Sequence, residues 1–110
     1  MPLKALVPIH PGEILRVEFL EPLGLTPSRL VRDMSVPTRR ISEIVRGRRG
    51  INADTALRLA RFFGTTERFW MNLQAHHDLE VEQERLGDRL EREVKAFVVV
   101  EEGEWITPAG

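Results

Sequence analysis

Signals that start and stop helices divide most of this chain into short segments. Start signals, which are capping side chains or a proline suited to a first helical turn, occur at His10–Pro11, Thr26–Pro27, Asn52 and Thr66. Stop signals, which are glycines suited to a left-handed position after a last turn, occur at Gly24, Gly47 and Gly64. Since these signals follow one another closely, they predict a series of helices, most of them short.

The spacing of apolar residues between these signals predicts five helices. The first begins at Pro11 and is ended by Pro22 and Gly24, and the second ends before Ser35–Val36–Pro37. The other three are predicted over residues 38–46, from Asn52 through Phe63, and from Thr66 onwards. Beyond Asp78 the pattern is weaker, and "AFVVV" and "EWITP" are interpreted either as two short strands or as a partly ordered tail. The predicted class is all-α with a short C-terminal extension.

Composition limits the functions that are open to such a chain. Its 110 residues suit one domain, with 42% apolar and 30% charged residues. The absence of cysteine excludes disulfides, thiolate nucleophiles and zinc–thiolate sites. No apolar run approaches the roughly 20 residues of a membrane span, and the N-terminus lacks the features of a secretory signal. We therefore expect a cytoplasmic protein with no membrane partner.

The net charge of −1 hides an uneven distribution of charge. Residues 29–61 contain nine arginines and three carboxylates, whereas residues 78–104 contain four basic and ten acidic residues. Such a division favours a basic surface for a polyanion in the first part and another role for the second part.

The third predicted helix separates two kinds of side chain. At 100° per residue, Ile41, Ile44 and Val45 lie on one side, and Arg39, Ser42, Glu43 and Arg46 lie on the other, with Thr38 at the leading end. Two short helices joined by a tight turn, with the second basic outside and aliphatic inside, are typical of a helix-turn-helix. In that motif the second helix enters the major groove of DNA.

The outward residues of this helix suit contacts with base edges. Arg39 can donate two hydrogen bonds to guanine, and Thr38 offers a hydroxyl or a methyl group. Glu43 either accepts from cytosine or orients Arg39. Later residues are better placed for phosphate oxygens, namely Arg46, Arg48, Arg49 and Asn52. A solvated, salt-bridged surface is the alternative, and it is less favoured because acidic partners are scarce in this segment.

Other residue groups give weaker signals. His76 and His77 are adjacent on a helix and point about 100° apart, with no third ligand, so no metal site is predicted. We expect no cofactor and no catalytic activity, since neither a phosphate-binding loop nor a nucleophile–base signature is present. Three residues of the fifth helix are either core residues or part of a two-fold interface: Trp70, Leu73 and His77.

Residues 9–80 resemble the HigA family of antitoxins, which carry a Cro/CI-type (XRE) helix-turn-helix domain. The resemblance lies in "HPGEILRVEFLEPLGL" and "ISEIVRGRRGINADTALRLARFFGTTERFWMNLQAHHDLE". It implies a five-helix, lambda-repressor-like fold with an arm at residues 1–10, a DNA-binding domain at 11–80 and an extension at 81–110. It also implies base reading by Thr38, Arg39, Arg40 and Glu43, and backbone contacts by Ser28, Arg46, Arg48 and Arg49.

Three residues depart from the usual motif, and each has a structural consequence. Ser35 replaces a frequent glycine, so it must accept a positive φ or the turn must differ. Val31 replaces a small residue, which would shift the packing of the third helix. Pro37 replaces a Ser or Thr cap, so one capping hydrogen bond is absent.

The resemblance implies that the protein is an antitoxin of a type II toxin–antitoxin module. Such a protein binds and neutralises a HigB-like ribonuclease toxin, and binds its operator DNA as a homodimer to repress its own operon. One alternative is a stand-alone transcriptional repressor without a toxin. Another is an interaction module whose helix-turn-helix no longer binds DNA.

Overall fold

The computed structural model describes residues 7–101 and 104–106. Helix α1 begins as Pro11–Ile14, continues as the π-helical segment Leu15–Leu20 and finishes as Glu21–Leu23. Five more helices follow in the described part: α2 Pro27–Met34, α3 Thr38–Val45, α4 Ala53–Phe63, α5 Glu67–Leu86 and α6 Arg89–Glu93. None of these helices is both long and apolar enough to cross a membrane.

The described part of the chain ends in a small antiparallel pair of strands. Strand β1, Val99–Glu101, pairs with β2, Glu104–Ile106, with Val99 opposite Ile106 and Glu101 opposite Glu104. The predicted all-α fold with a small β element is confirmed. Of the two interpretations of the C-terminal extension, the one with two short strands is observed. Most of the predicted arm, residues 1–10, lies outside the described residues. The boundary predicted after residue 80 falls inside α5, a continuous helix of 20 residues.

Local capping explains where most helices begin and end. Thr26, Asn52 and Thr66 each accept a hydrogen bond from a backbone N–H of the first turn of α2, α4 and α5. His10 does the same for α1, since its Nδ1 accepts from the Gly12 N–H at 2.8 Å. Pro37 precedes α3 and provides no side-chain cap, as predicted.

The turn between α2 and α3 accepts Ser35 in the left-handed region. Ser35 has φ +56°, and it is the non-glycine residue with positive φ in the described part of the chain. The turn is closed by the Val36 N–H, which donates to the Val31 carbonyl at 3.2 Å. The Arg58 Nη1 donates to the carbonyls of Met34 at 2.9 Å and Ser35 at 3.4 Å. The helix-turn-helix geometry is thus retained without glycine.

The prediction that Pro22 ends the first helix is wrong. Pro22 lies in the first turn of the last segment of α1, where a missing N–H is tolerated. The preceding segment is π-helical, and the Glu21 N–H reaches back five residues to the Arg16 carbonyl. The helix ends at Gly24, the other residue predicted to end it, which has φ +66°.

One core holds α1 to α5 together. Six large side chains in it have no exposed surface: Leu15, Leu30, Ile41, Ile44, Leu59 and Trp70. Burial of each such side chain contributes about 1.5–3 kcal/mol before chain entropy is counted. Phe19 joins them by packing its ring 4.9 Å from that of Trp70. Two of the six belong to α3, which fixes the orientation of that helix.

Helix α1 also touches the backbone at the end of α3. A Cβ atom at Gly12 would lie 1.7 Å from the carbonyl oxygen of Ile44, so a side chain does not fit there. The close approach supports the C-terminal end of α3 from behind and leaves its other side free.

Candidate nucleic-acid interface

Helix α3 presents one side to the core and the other to solvent. Ile41 and Ile44 are fully buried, while the side chain of Arg39 is 81% exposed. Thr38 at the leading end is also exposed. The helix is therefore held rigidly by its aliphatic side, and its outer side is accessible to a ligand as large as a duplex.

Glu43 joins two arginines into one cluster on this outer side. The Arg39 Nε donates to its Oε2 at 2.7 Å, and the Arg49 Nε donates to its Oε1 at 2.8 Å. Hydrogen bonds from Arg39 and then Arg49 hold the pKa of the Glu43 carboxyl below its usual range. Of the two roles open to Glu43, orienting Arg39 is the one seen in the free protein. The cluster keeps a net positive charge.

Asp54 forms a second cluster with two arginines, between α3 and α4. The Arg40 Nη1 donates to Asp54, and the Arg58 Nε donates to the same oxygen at 3.0 Å. Hydrogen bonds from Arg40 and then Arg58 lower the pKa of Asp54. The side chain of Arg40 is only 24% exposed and is directed towards the start of α4, unlike Arg39. Base reading by Arg40 therefore stays a prediction, which requires this ion pair to open.

The residues predicted to meet phosphates lie around α3. Within the described residues, Arg46 and Arg48 are exposed and form no ion pair. Ser28 is exposed in the first turn of α2. Asn52 is exposed too, but its Oδ1 already accepts from the Thr55 N–H at 2.9 Å. The NH₂ group of Asn52 can still donate to a phosphate.

The structure corrects one of the residues predicted for the dimer interface. Trp70 has no exposed surface, and its Nε1 donates to the Thr65 Oγ1 at 2.8 Å, so it belongs to the core of its own chain. Leu73 packs against the same core and is partly buried. The side chain of His77 is 19% exposed, and its ring lies 5.0 Å from that of His10. Leu73 and His77 keep some surface for a partner, whereas Trp70 does not.

Three residues of the site were not identified from the sequence. Asp54 and Arg58 have the i, i+4 spacing of a helical ion pair, which is a readable signal. Their links to Arg40 and to the turn carbonyls cross 14 and 24 residues, and the sequence carries no sign of them. The same holds for Gln74, whose Oε1 accepts from the Ile51 N–H across 23 residues. In the described part of the chain, no three His, Cys, Asp or Glu side chains gather as a metal site.

Comparison with known proteins places this chain among helix-turn-helix proteins. A family described as "Helix-turn-helix" matches residues 18–70. The virulence-associated protein I of Dichelobacter nodosus is 51% identical over 76 residues, which are 69% of this chain and 70% of that protein. The antitoxin HigA-1 of Vibrio cholerae is 35% identical over 96 residues, 86% of this chain and 90% of that protein.

A solved structure shows the same arrangement of helices. The Pseudomonas aeruginosa antitoxin HigA, solved with the higBA promoter, superposes with a TM-score of 0.77 and 45% sequence identity. The match covers 80% of this chain and 96% of that one.

Proposed function

The chain belongs to the HigA family of helix-turn-helix antitoxins, and on this premise we propose that it represses its own operon and neutralises a HigB-like ribonuclease toxin. The family consists of DNA-binding antitoxins and regulators, not of enzymes. The observation that carries the DNA-binding part is the exposed arginine side of α3, fixed from behind by the fully buried Ile41 and Ile44. Both activities belong to the cytoplasm, where operator and toxin are found together.

For DNA, α3 enters the major groove of the operator with its outer side forward. Arg39 donates to a guanine, and Thr38 contacts a neighbouring base. Glu43 keeps Arg39 in position through their hydrogen bond. It contributes to base recognition in this indirect way. Arg46, Arg48 and Arg49 bind phosphates, together with Ser28 and the NH₂ group of Asn52, and so fix the register of the helix.

The protein binds its operator as a homodimer. One α3 covers only a half-site, and two such helices about 34 Å apart read a palindrome. We assign the contact to α5, where Leu73 and His77 retain exposed surface. Two further apolar side chains of α5 support this assignment, since Phe69 and Met71 are each 37% exposed.

For the toxin, we propose the acidic segment that begins at Asp78. Every described side chain from residue 87 to 98 is exposed, and carboxylates outnumber basic groups in residues 78–104. Complementary charge would speed association with a basic ribonuclease. The N-terminal arm and α1 are the alternative contact surfaces.

Two measurements test the two activities separately. Co-expression with the neighbouring open reading frame should yield a stable complex in which ribonuclease activity is blocked. Operator binding should be specific and should weaken steeply with salt, because phosphate contacts release counterions. Specific DNA binding with no toxin partner would establish a stand-alone repressor, and loss of both activities would leave an interaction module.

A further inference from the structure

The loop between α3 and α4, residues 46–51, carries three of the exposed arginines and is fastened to α5. We propose that Gln74 is a positioning residue for DNA binding, which holds this loop in the shape that presents Arg48 and Arg49 to the phosphates. The inference rests on the proposed function and assigns a role in it to a residue that does not touch DNA.

Gln74 contacts the loop where the loop returns to the core. Its Oε1 accepts a hydrogen bond from the Ile51 N–H at 2.7 Å, in a partly buried position. The Ile51 side chain is only 2% exposed, so the core and Gln74 together fix this residue. Leaving a buried N–H without an acceptor is costly, and Gln74 therefore decides where the backbone of the loop can lie.

The orientation of the Gln74 amide is fixed by Asp78. Its Nε2 donates to the Asp78 Oδ1 at 2.8 Å, one turn further along α5. A carboxylate only accepts hydrogen bonds, so the NH₂ group must face Asp78 and the oxygen must face Ile51. Asp78 thus prevents the amide from turning and offering its donor side to the loop.

Gly50 lies directly against this amide. A Cβ atom at Gly50 would be 3.0 Å from the Cδ, Nε2 and Oε1 atoms of Gln74, a distance that requires one of the two to move. The loop backbone and the amide therefore pack against each other as well as sharing a hydrogen bond.

The two ends of the loop are held by different elements. At the first end, the Gly47 N–H donates to the Ile44 carbonyl at 3.0 Å and the Arg48 N–H donates to the Glu43 carbonyl at 2.8 Å. At the second end, the Ile51 N–H donates to the side chain of Gln74. Without this hydrogen bond, Arg48 and Arg49 would sample more positions, and ordering them on DNA would cost affinity.

The first test replaces Gln74 and leaves every arginine in place. Gln74→Ala should weaken operator binding by roughly three- to tenfold, the effect of removing one hydrogen bond. The log–log salt dependence should flatten by up to about 0.9 for each phosphate that the loop no longer binds. Gln83→Ala, a matched change at an exposed residue of the same helix, should alter neither quantity. Arg48→Ala should cost less in the Gln74→Ala background than in the wild type.

If Gln74→Ala folds poorly, exchanging the amide and the carboxylate between positions 74 and 78 tests the same contact without changing the net charge. Gln74→Glu alone places two carboxylates face to face and should weaken binding. Combining it with Asp78→Asn restores a donor and an acceptor, keeps an oxygen for Ile51 and conserves the total charge. The double variant should recover most of the wild-type affinity and salt dependence. Failure of the exchange to recover binding while both proteins fold normally would overturn the proposal.

Hydrogen exchange of the Ile51 amide, measured without DNA, separates this inference from the proposed function. The amide should be protected in the wild type and in the double variant, and should exchange faster in Gln74→Ala. Equal protection in wild type and Gln74→Ala would overturn the positioning role. If protection changes as expected while the wild type binds no operator, the loop contact stands and the DNA-binding function fails.

Discussion

Helices α3 and α6 both contain arginines paired with carboxylates, but the two helices differ in the net charge that these pairs leave. In α3, Arg39 pairs with Glu43 at i+4, and Glu43 also holds Arg49, so the cluster carries excess positive charge. In α6, Arg89 pairs with Glu93 at i+4, and neighbouring Arg92 has its own partner, Asp88. An ion pair between i and i+4 therefore does not define a function. The two helices are distinguished by the net charge that remains after pairing and by the burial of the residues beneath the pair.

Burial is the second difference between them. Beneath Arg39 and Glu43 lie Ile41 and Ile44, both without exposed surface. From residue 71 to 98, no described residue is buried, and Leu90 and Val94 are 51% and 60% exposed. A rigid helix with an accessible charged side suits recognition of a fixed duplex surface. The C-terminal region has the exposed apolar and acidic groups that a protein partner could cover.

The largest contrast is expected in stability. Ile44→Ala removes a fully buried side chain beneath α3 and should lower the free energy of unfolding by about 2–5 kcal/mol. Leu90→Ala, at an exposed position of α6, should change it by no more than about 0.5 kcal/mol. Chemical unfolding followed by circular dichroism measures both. Similar decreases in the two variants would mean that α6 is packed against something in solution.

The next contrast compares the two matched ion pairs. Arg39→Ala should cost about 1–3 kcal/mol of operator affinity and relax the base preference at one position. Arg89→Ala breaks an equivalent i, i+4 pair and should leave binding unchanged. Titration of both variants with operator duplexes altered base by base tests this. An Arg39→Ala protein that keeps both affinity and preference would remove Arg39 from the reading surface.

A smaller effect is expected from a phosphate contact. Arg48→Ala should weaken all DNA sequences about equally and flatten the log–log salt slope by roughly 0.9. Arg92→Ala in the C-terminal region should not change the slope. Binding measured at several salt concentrations on operator and unrelated DNA checks this. A weakening confined to one base step would show that Arg48 reads sequence.

The smallest expected effect is on the stability of the folded state at acidic pH. Since Arg40 and Arg58 hold the pKa of Asp54 below its ordinary value, this carboxylate stabilises the folded state above that value. The contribution disappears as the pH falls through the folded-state pKa, so stability should decrease in acid. Asp54→Asn should flatten that decrease, because the titrating group is gone. Thermal unfolding at a series of acidic pH values tests this, and an unchanged slope would mean that the pair is open in solution.

Local signals in the sequence are enough to predict where the first five helices begin, whereas contacts between distant residues are not predictable from them. Thr26, Asn52 and Gly47 act only on their own helical turns, so their effects follow from neighbouring residues. The position of Pro22 inside α1 does not, because no local signal predicts the π-helical segment before it. The burial of Trp70, the Arg40–Asp54 pair and the Gln74–Ile51 hydrogen bond all arise when α3, α4 and α5 meet in the fold. The residues of α3 that face outward are predictable, and so is Glu43 as the i, i+4 partner of Arg39. The partner that Arg40 finds in α4 is not predictable.

Backbone amide chemical shifts, followed while the full chain is titrated with its operator duplex, would locate the surface that binds DNA. We expect the largest changes in residues 38–49, with Arg39 prominent, and little change in residues 87–98. Changes concentrated in residues 87–98, with α3 unaffected, would contradict DNA binding through α3.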